Sequence, residues 1–90
     1  MEEIRPETVA ITAGRPDSAA GAPLNAAISL NSTFTAGGSI GYGRFGNETW
    51  HALEDAITKL EHGDSTLAFS SGMAAITAVF SLLPHGAPVV

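Results

Sequence analysis

The stretch FSSGMAA, residues 69–75, decides how this chain is read. It sets two serines, a glycine and a methionine between two apolar segments, where continued packing would favour larger side chains. Upstream, Thr66 to Phe69 form a run of strand length. Downstream, Ala74, Ala75, Ile76, Ala78, Val79, Leu82 and Leu83 follow helical spacing, so a helix is predicted from Met73 to about Leu83. Ser70 or Ser71 then falls at the N-cap. The first N–H groups of a helix have no intrahelical acceptor and lie at the positive end of its dipole, so a strand–Ser-Ser-Gly–helix join can seat an anion. Gly72 allows close backbone approach. The same residues also suit an ordinary serine-capped helix, and the stretch alone does not separate the two readings.

Composition narrows the field. The chain has 90 residues, 44% hydrophobic and 14% charged, which is globular in character and enough for one small domain at most. Its formal net charge is -5, and Arg5, Arg15, Arg44 and Lys59 are its only cations besides histidine. No basic patch for a nucleic acid or an anionic membrane surface follows from so few, and any anion bound is small and local. With no cysteine, disulfides, thiol catalysis and zinc–thiolate sites are excluded. The opening MEEIRPE lacks the basic and apolar regions of a secretory signal, and no apolar run reaches membrane-span length, so a cytoplasmic setting is expected. In that setting the Asn-x-Ser/Thr sequons at Asn31 and Asn47 are chance occurrences.

Organisation changes near residue 47. Residues 1–46 are rich in proline and glycine and are expected to form an extended N-terminal arm, with AAISLNSTF (26–34) as a short extended segment within it. Residues 48–62 predict an amphipathic helix with Trp50, Leu53, Ile57 and Leu60 on one face and Glu54, Asp55, Thr58 and Glu61 largely opposite. Asn47 is its N-cap and Gly63 its stop. The chain closes with PHGAPVV (84–90), a loop followed by the opening residues of a buried strand. Strand, helix, strand predicts a parallel βαβ unit, which needs further strands and covering helices, so the expectation is the N-terminal piece of a larger α/β enzyme.

GYGRFG (41–46) matches the glycine pattern of dinucleotide-binding turns. That pattern requires a buried strand feeding its first glycine, and FTAGGSI is not one, so the dinucleotide reading is set aside. Tyr42 and Arg44 carry more information. Alternating along an extended backbone, they project to one side, a phenol donor beside a guanidinium fork, which suits a phosphate. A surface tyrosine and a solvated arginine would fit the same pattern.

YGRFGNETWHALEDAITKLEHGDSTLAFSSGMAAITAVFSLLPHGAPVV (42–90) resembles the N-terminal part of the pyridoxal-phosphate enzymes of cysteine and methionine metabolism: cystathionine gamma-synthase, cystathionine gamma-lyase, methionine gamma-lyase and the homoserine-ester sulfhydrylases. TAGRPDSAAGAPLNAAISLNSTF (12–34) is similar to the family's opening elements. LEDAITKLEHGDSTLAFSSGMAAI (53–76) is similar to its most recognisable block. The resemblance implies that the Gly72 and Met73 backbone N–H groups hold the phosphate of pyridoxal 5'-phosphate. It also implies that Tyr42 and Arg44 reach that phosphate from the neighbouring subunit of a homodimer, often paired into a homotetramer. Thr12, Gly43, Glu48 and Ala87 depart from the family pattern, where His, Ser, Pro and Asp are usual, and none of them removes a phosphate contact.

The implied fold is therefore the N-terminal arm (1–46) plus the start (47–90) of the large domain of a fold type I pyridoxal-phosphate transferase, an α/β architecture with a parallel sheet incomplete in this chain. The implied activity is a lyase or transferase acting at the γ (or β) carbon of a small amino-acid substrate. The family's imine-forming lysine has no counterpart here, because Lys59 lies in an amphipathic helix among Glu54, Asp55 and Glu61, which suits a solvated charge. The 90 residues alone are expected to be inactive. In a second reading the chain is a truncated product that acts at most as an anion-binding or interaction module. His51, His62 and His85 are too scattered for a metal site.

Overall fold

Asn47 begins the longest helix of the computed structural model, which describes residues 3–90. Its side chain accepts the Thr49 N–H at 2.8 Å and so caps a 13-residue helix, Glu48–Leu60. Two more helices complete the regular structure, and in chain order they are α1 (Pro6–Thr12), α2 (Glu48–Leu60) and α3 (Gly72–Phe80).

The α2 N-cap is as expected, but its end differs. Gly63 does not supply the left-handed residue; His62 does, at φ 53°, and Gly63 N–H then returns to the Thr58 carbonyl at 3.0 Å. This six-to-one closure terminates the helix at Leu60, two residues early. α3 starts on Ser71, whose Oγ accepts the Ala74 N–H at 3.1 Å, and it stops at Phe80 rather than continuing to Leu83.

The first 46 residues are not wholly extended. α1 forms at residues 6–12, with Pro6 in the first helical turn and Glu7 beside the positive end of the dipole, both favourable there. It packs on α2. Gly14, at φ 76°, follows α1 and lies so close to the Ala52 carbonyl that a β-carbon would collide with it, while its N–H donates to Asp55 Oδ2 at 3.2 Å.

Segment 26–34 is extended, as expected, and is held by polar clips. Ser29 N–H donates to Thr49 Oγ1 at 2.7 Å, Thr49 Oγ1–H donates to the Ala27 carbonyl at 3.1 Å, and Asn47 Nδ2 donates to the Ser29 and Asn31 carbonyls at 3.3 Å each. Thr33 and Tyr42 form an isolated antiparallel bridge. Asn47 is only 3% exposed, the one buried polar side chain among the described residues, and its burial leaves no room for a glycan on that sequon.

Residues 66–69, predicted as a strand, have no strand partner among the described residues, and neither do residues 87–90, where the Ala87 N–H closes a turn onto the Pro84 carbonyl at 3.1 Å. A strand is defined by its neighbour, so the parallel sheet is not formed here. No apolar side chain among the described residues is buried, and the radius of gyration is 16.7 Å, against about 12 Å for a compact domain of this length. The expected apolar face of α2 is largely open, with Trp50 39% and Leu53 54% exposed.

Candidate functional site

Two clips on α2 fix the segment leading to α3. Thr58 Oγ1 and Thr66 Oγ1 lie 2.7 Å apart, and Glu54 Oε2 accepts the Ala68 N–H at 2.8 Å. These polar residues, expected on the open face, are among the better covered positions of α2. Phe69 and Ser70 then lead into the Ser71 cap. Because Ser71 satisfies Ala74 through its hydroxyl and Ala75 through its carbonyl, the Gly72 and Met73 N–H groups donate to no acceptor among the described residues. A β-carbon added at Gly72 would meet nothing within 4 Å. Two unengaged donors at a helix start, beside an open approach, form a seat for an anionic oxygen group.

Tyr42 and Arg44 come together by a different route from the one expected. They do not alternate along a strand: Phe45 N–H donates to the Tyr42 carbonyl at 2.9 Å, closing a turn over residues 42–45. Within that turn the Arg44 guanidinium carbon lies 5.5 Å from the centre of the Tyr42 ring, a cation–π arrangement. Gly43 permits the turn to approach the arm, since a β-carbon there would lie 2.9 Å from Ser32 Cα. Arg44 also shares a concavity of about 370 Å³ with Trp50, Ala68, Phe69 and Ser70, so the fold places it beside its own chain's approach to α3. The sequence reading missed the walls of this concavity, whose residues are far apart in the chain.

Lys59 Nζ donates to Asp55 Oδ2 at 2.7 Å, and both side chains are about half exposed. That hydrogen bond, opposed by desolvation and aided by the Lys59 charge and the Gly14 N–H, holds the Asp55 carboxyl below its ordinary pKa. A paired, solvated ammonium is the surface role expected of Lys59. No cluster of metal-ligating side chains occurs among the described residues, and none of their helices is long and apolar enough to cross a membrane.

A helix start with two open amides, a short segment clipped to the preceding helix, and an arginine–tyrosine turn beside that segment form an arrangement able to accept a small anion. The chain belongs to the Cys/Met metabolism PLP-dependent enzyme family, whose model matches residues 7–90. The cofactor of that family is pyridoxal phosphate. Cystathionine gamma-lyase of Bacillus subtilis (strain 168) is 55% identical over 49 residues, covering 54% of this chain and 13% of that protein. Cystathionine gamma-synthase of Mycobacterium bovis is 48% identical over 77 residues, covering 78% of this chain and 20% of that one. In structure, the chain matches cystathionine gamma-lyase from Lactobacillus plantarum, complexed with L-serine, with a TM-score of 0.81 and 38% identity, over 92% of this chain and 23% of that one. The chain thus spans 13% to 20% of the length of these curated relatives.

The residues present fit a phosphate. Gly72 and Met73 offer donors, the open side of Gly72 offers room, and Arg44 supplies a nearby positive charge.

Proposed function

We propose that this chain provides the phosphate anchor of a pyridoxal-phosphate enzyme of sulfur amino-acid metabolism, acting on cystathionine, homoserine esters or methionine by elimination or replacement at the γ or β carbon. The observation that carries the reading is the capped start of α3, where Ser71 satisfies Ala74 and leaves the Gly72 and Met73 N–H groups to an incoming oxyanion. When bound, the cofactor supplies an electron sink for bond cleavage. The residues of this chain bind and orient. The two amides fix the phosphate at the positive end of α3, the Arg44 fork engages phosphate oxygens, and the Tyr42 hydroxyl adds a donor while its ring holds the guanidinium in place. Lys59, tied to Asp55, takes no part, so the 90 residues by themselves are inactive and the bond-breaking groups belong to the remainder of the enzyme.

In this reading the enzyme is a homodimer or homotetramer, and the Arg44 of one subunit serves the phosphate of its neighbour. Arg44→Ala in the full enzyme weakens cofactor retention by about 10- to 150-fold, the range for a charge-assisted hydrogen bond of roughly 1.5–3 kcal/mol. Arg44→Lys restores it only in part, because an ammonium lacks the fork. Mixing Arg44→Ala subunits with Gly72→Val subunits separates the two geometries. Service across the interface gives heterodimers with one intact site, whereas service within one chain leaves both sites defective. Unchanged retention in Arg44→Ala overturns the phosphate role of this residue.

A further inference from the structure

The side chain of Glu54 uses both oxygens, in opposite directions. Oε2 accepts the Ala68 N–H at 2.8 Å, and Oε1 lies 2.8 Å from His51 Nδ1. Its side chain is 12% exposed, well covered for a carboxylate. The far side of the His51 ring presses on Gly46, where a β-carbon would lie 2.7 Å from Nε2. Gly46 closes the loop carrying Tyr42 and Arg44, and Ala68 lies four residues before Gly72. One carboxylate–imidazole pair on α2 therefore lies against both the segment leading to α3 and the end of the loop that carries Tyr42 and Arg44.

We infer that Glu54, acting through Ala68 and paired with His51, is a positioning residue for the phosphate anchor. It fixes the run from Ala68 to Ser71, and hence the Gly72 and Met73 amides, relative to α2. The inference rests on the anchoring role proposed for those amides. Without the carboxylate, the Ala68 N–H loses its acceptor and the segment is held to α2 at Thr66 alone, so the amides no longer have a fixed placement before the phosphate arrives.

The test uses the full enzyme that carries this segment, with pyridoxal phosphate as the probe. Dissociation constants are read by cofactor absorbance, the phosphorus-31 resonance of the bound phosphate is recorded, and amide exchange is followed at Ala68. Glu54→Ala is expected to weaken retention about tenfold, shift the phosphorus resonance and speed exchange at Ala68. Glu54→Gln keeps an oxygen acceptor and stays within about twofold of the parent, a rescue that helix propensity alone does not predict. Glu54→Asp, one methylene short of Ala68, follows the alanine variant and serves in its place if that variant does not fold. Asp55→Ala, on the adjacent position of α2, leaves retention unchanged. Gly72→Val tests the underlying reading separately, by filling the open approach. If Gly72→Val abolishes retention while Glu54→Ala and Glu54→Asp keep the parent affinity and resonance, the positioning role is wrong and the anchor stands. If Gly72→Val retains the cofactor, the anchor itself is wrong.

Discussion

Ser29 and Thr49, twenty residues apart, are joined by a 2.7 Å hydrogen bond from the Ser29 N–H to the Thr49 hydroxyl, and that contact binds the arm to the first turn of α2. Beside it, Asn47 both caps the helix and donates to the arm carbonyls of Ser29 and Asn31.

Asn47→Ala removes the cap and strands two arm carbonyls, and is expected to destabilise the protein by about 2–3 kcal/mol, about 1 kcal/mol of it from the cap. Asn47→Asp keeps the cap acceptor and loses both donors, so it falls between. Denaturant unfolding gives the totals, and amide exchange at Thr49 and Ser29 separates the cap from the clamp. Equal destabilisation by both variants would contradict the division of roles.

Gly43→Ser, which restores the residue usual in the family, brings a β-carbon to 2.9 Å from Ser32 Cα. The arm backbone must give way, at a cost of about 1–3 kcal/mol as for other overpacked sites. The expected sign is faster amide exchange at Gly43, whose N–H bonds the Ser32 carbonyl. Unchanged exchange would show that the arm adapts without strain.

His62→Gly relieves a left-handed backbone at φ 53°. Avoiding that conformation's roughly 1–2 kcal/mol penalty, less about 0.4–1 kcal/mol for the greater freedom of glycine in the unfolded chain, leaves a net gain of about 0.5–1 kcal/mol. Calorimetry should show a higher Tm, and a lower one would mean that the imidazole makes a favourable contact that outweighs the strain.

Asp55 makes a pH-dependent contribution. Its pKa is lowered in the folded protein, chiefly by the Lys59 hydrogen bond, so the stabilisation is fully present above the unfolded value and is lost as pH falls through the folded one. With both side chains half exposed, the effect stays below about 0.5 kcal/mol and fades in high salt. Asp55→Asn should flatten this part of the acid limb of the stability profile without altering stability at neutral pH by more than that amount.

Capping chemistry made the helix starts legible in the sequence. Asn47 and Ser71 each place a side-chain oxygen where an unpartnered N–H requires one, and the seat at Gly72 and Met73 follows from the second. Proline at the first turn and Glu7 were equally local signals for α1, but the proline and glycine content of the arm outweighed them. The sheet was not realised at Thr66–Phe69, because pairing depends on a partner that periodicity does not see. Nor could spacing reveal that Glu54 and Thr58 face inward, since their partners at Ala68 and Thr66 lie across the turn at His62–Gly63. Arg44 beside Ala68, Phe69 and Ser70 is a contact of the same long-range kind.

The clips along α2 are directional, and they leave Trp50, Leu53, Ile57 and Leu60 facing outward as a continuous apolar stripe. Hydrogen bonds exchanged with water contribute little net free energy, whereas the stripe gains free energy only when covered. Covering the stripe is therefore expected to reinforce the clips that are already in place. In refolding of the full enzyme, protection of the Ala68 amide is expected to rise together with quenching or shift of Trp50 fluorescence.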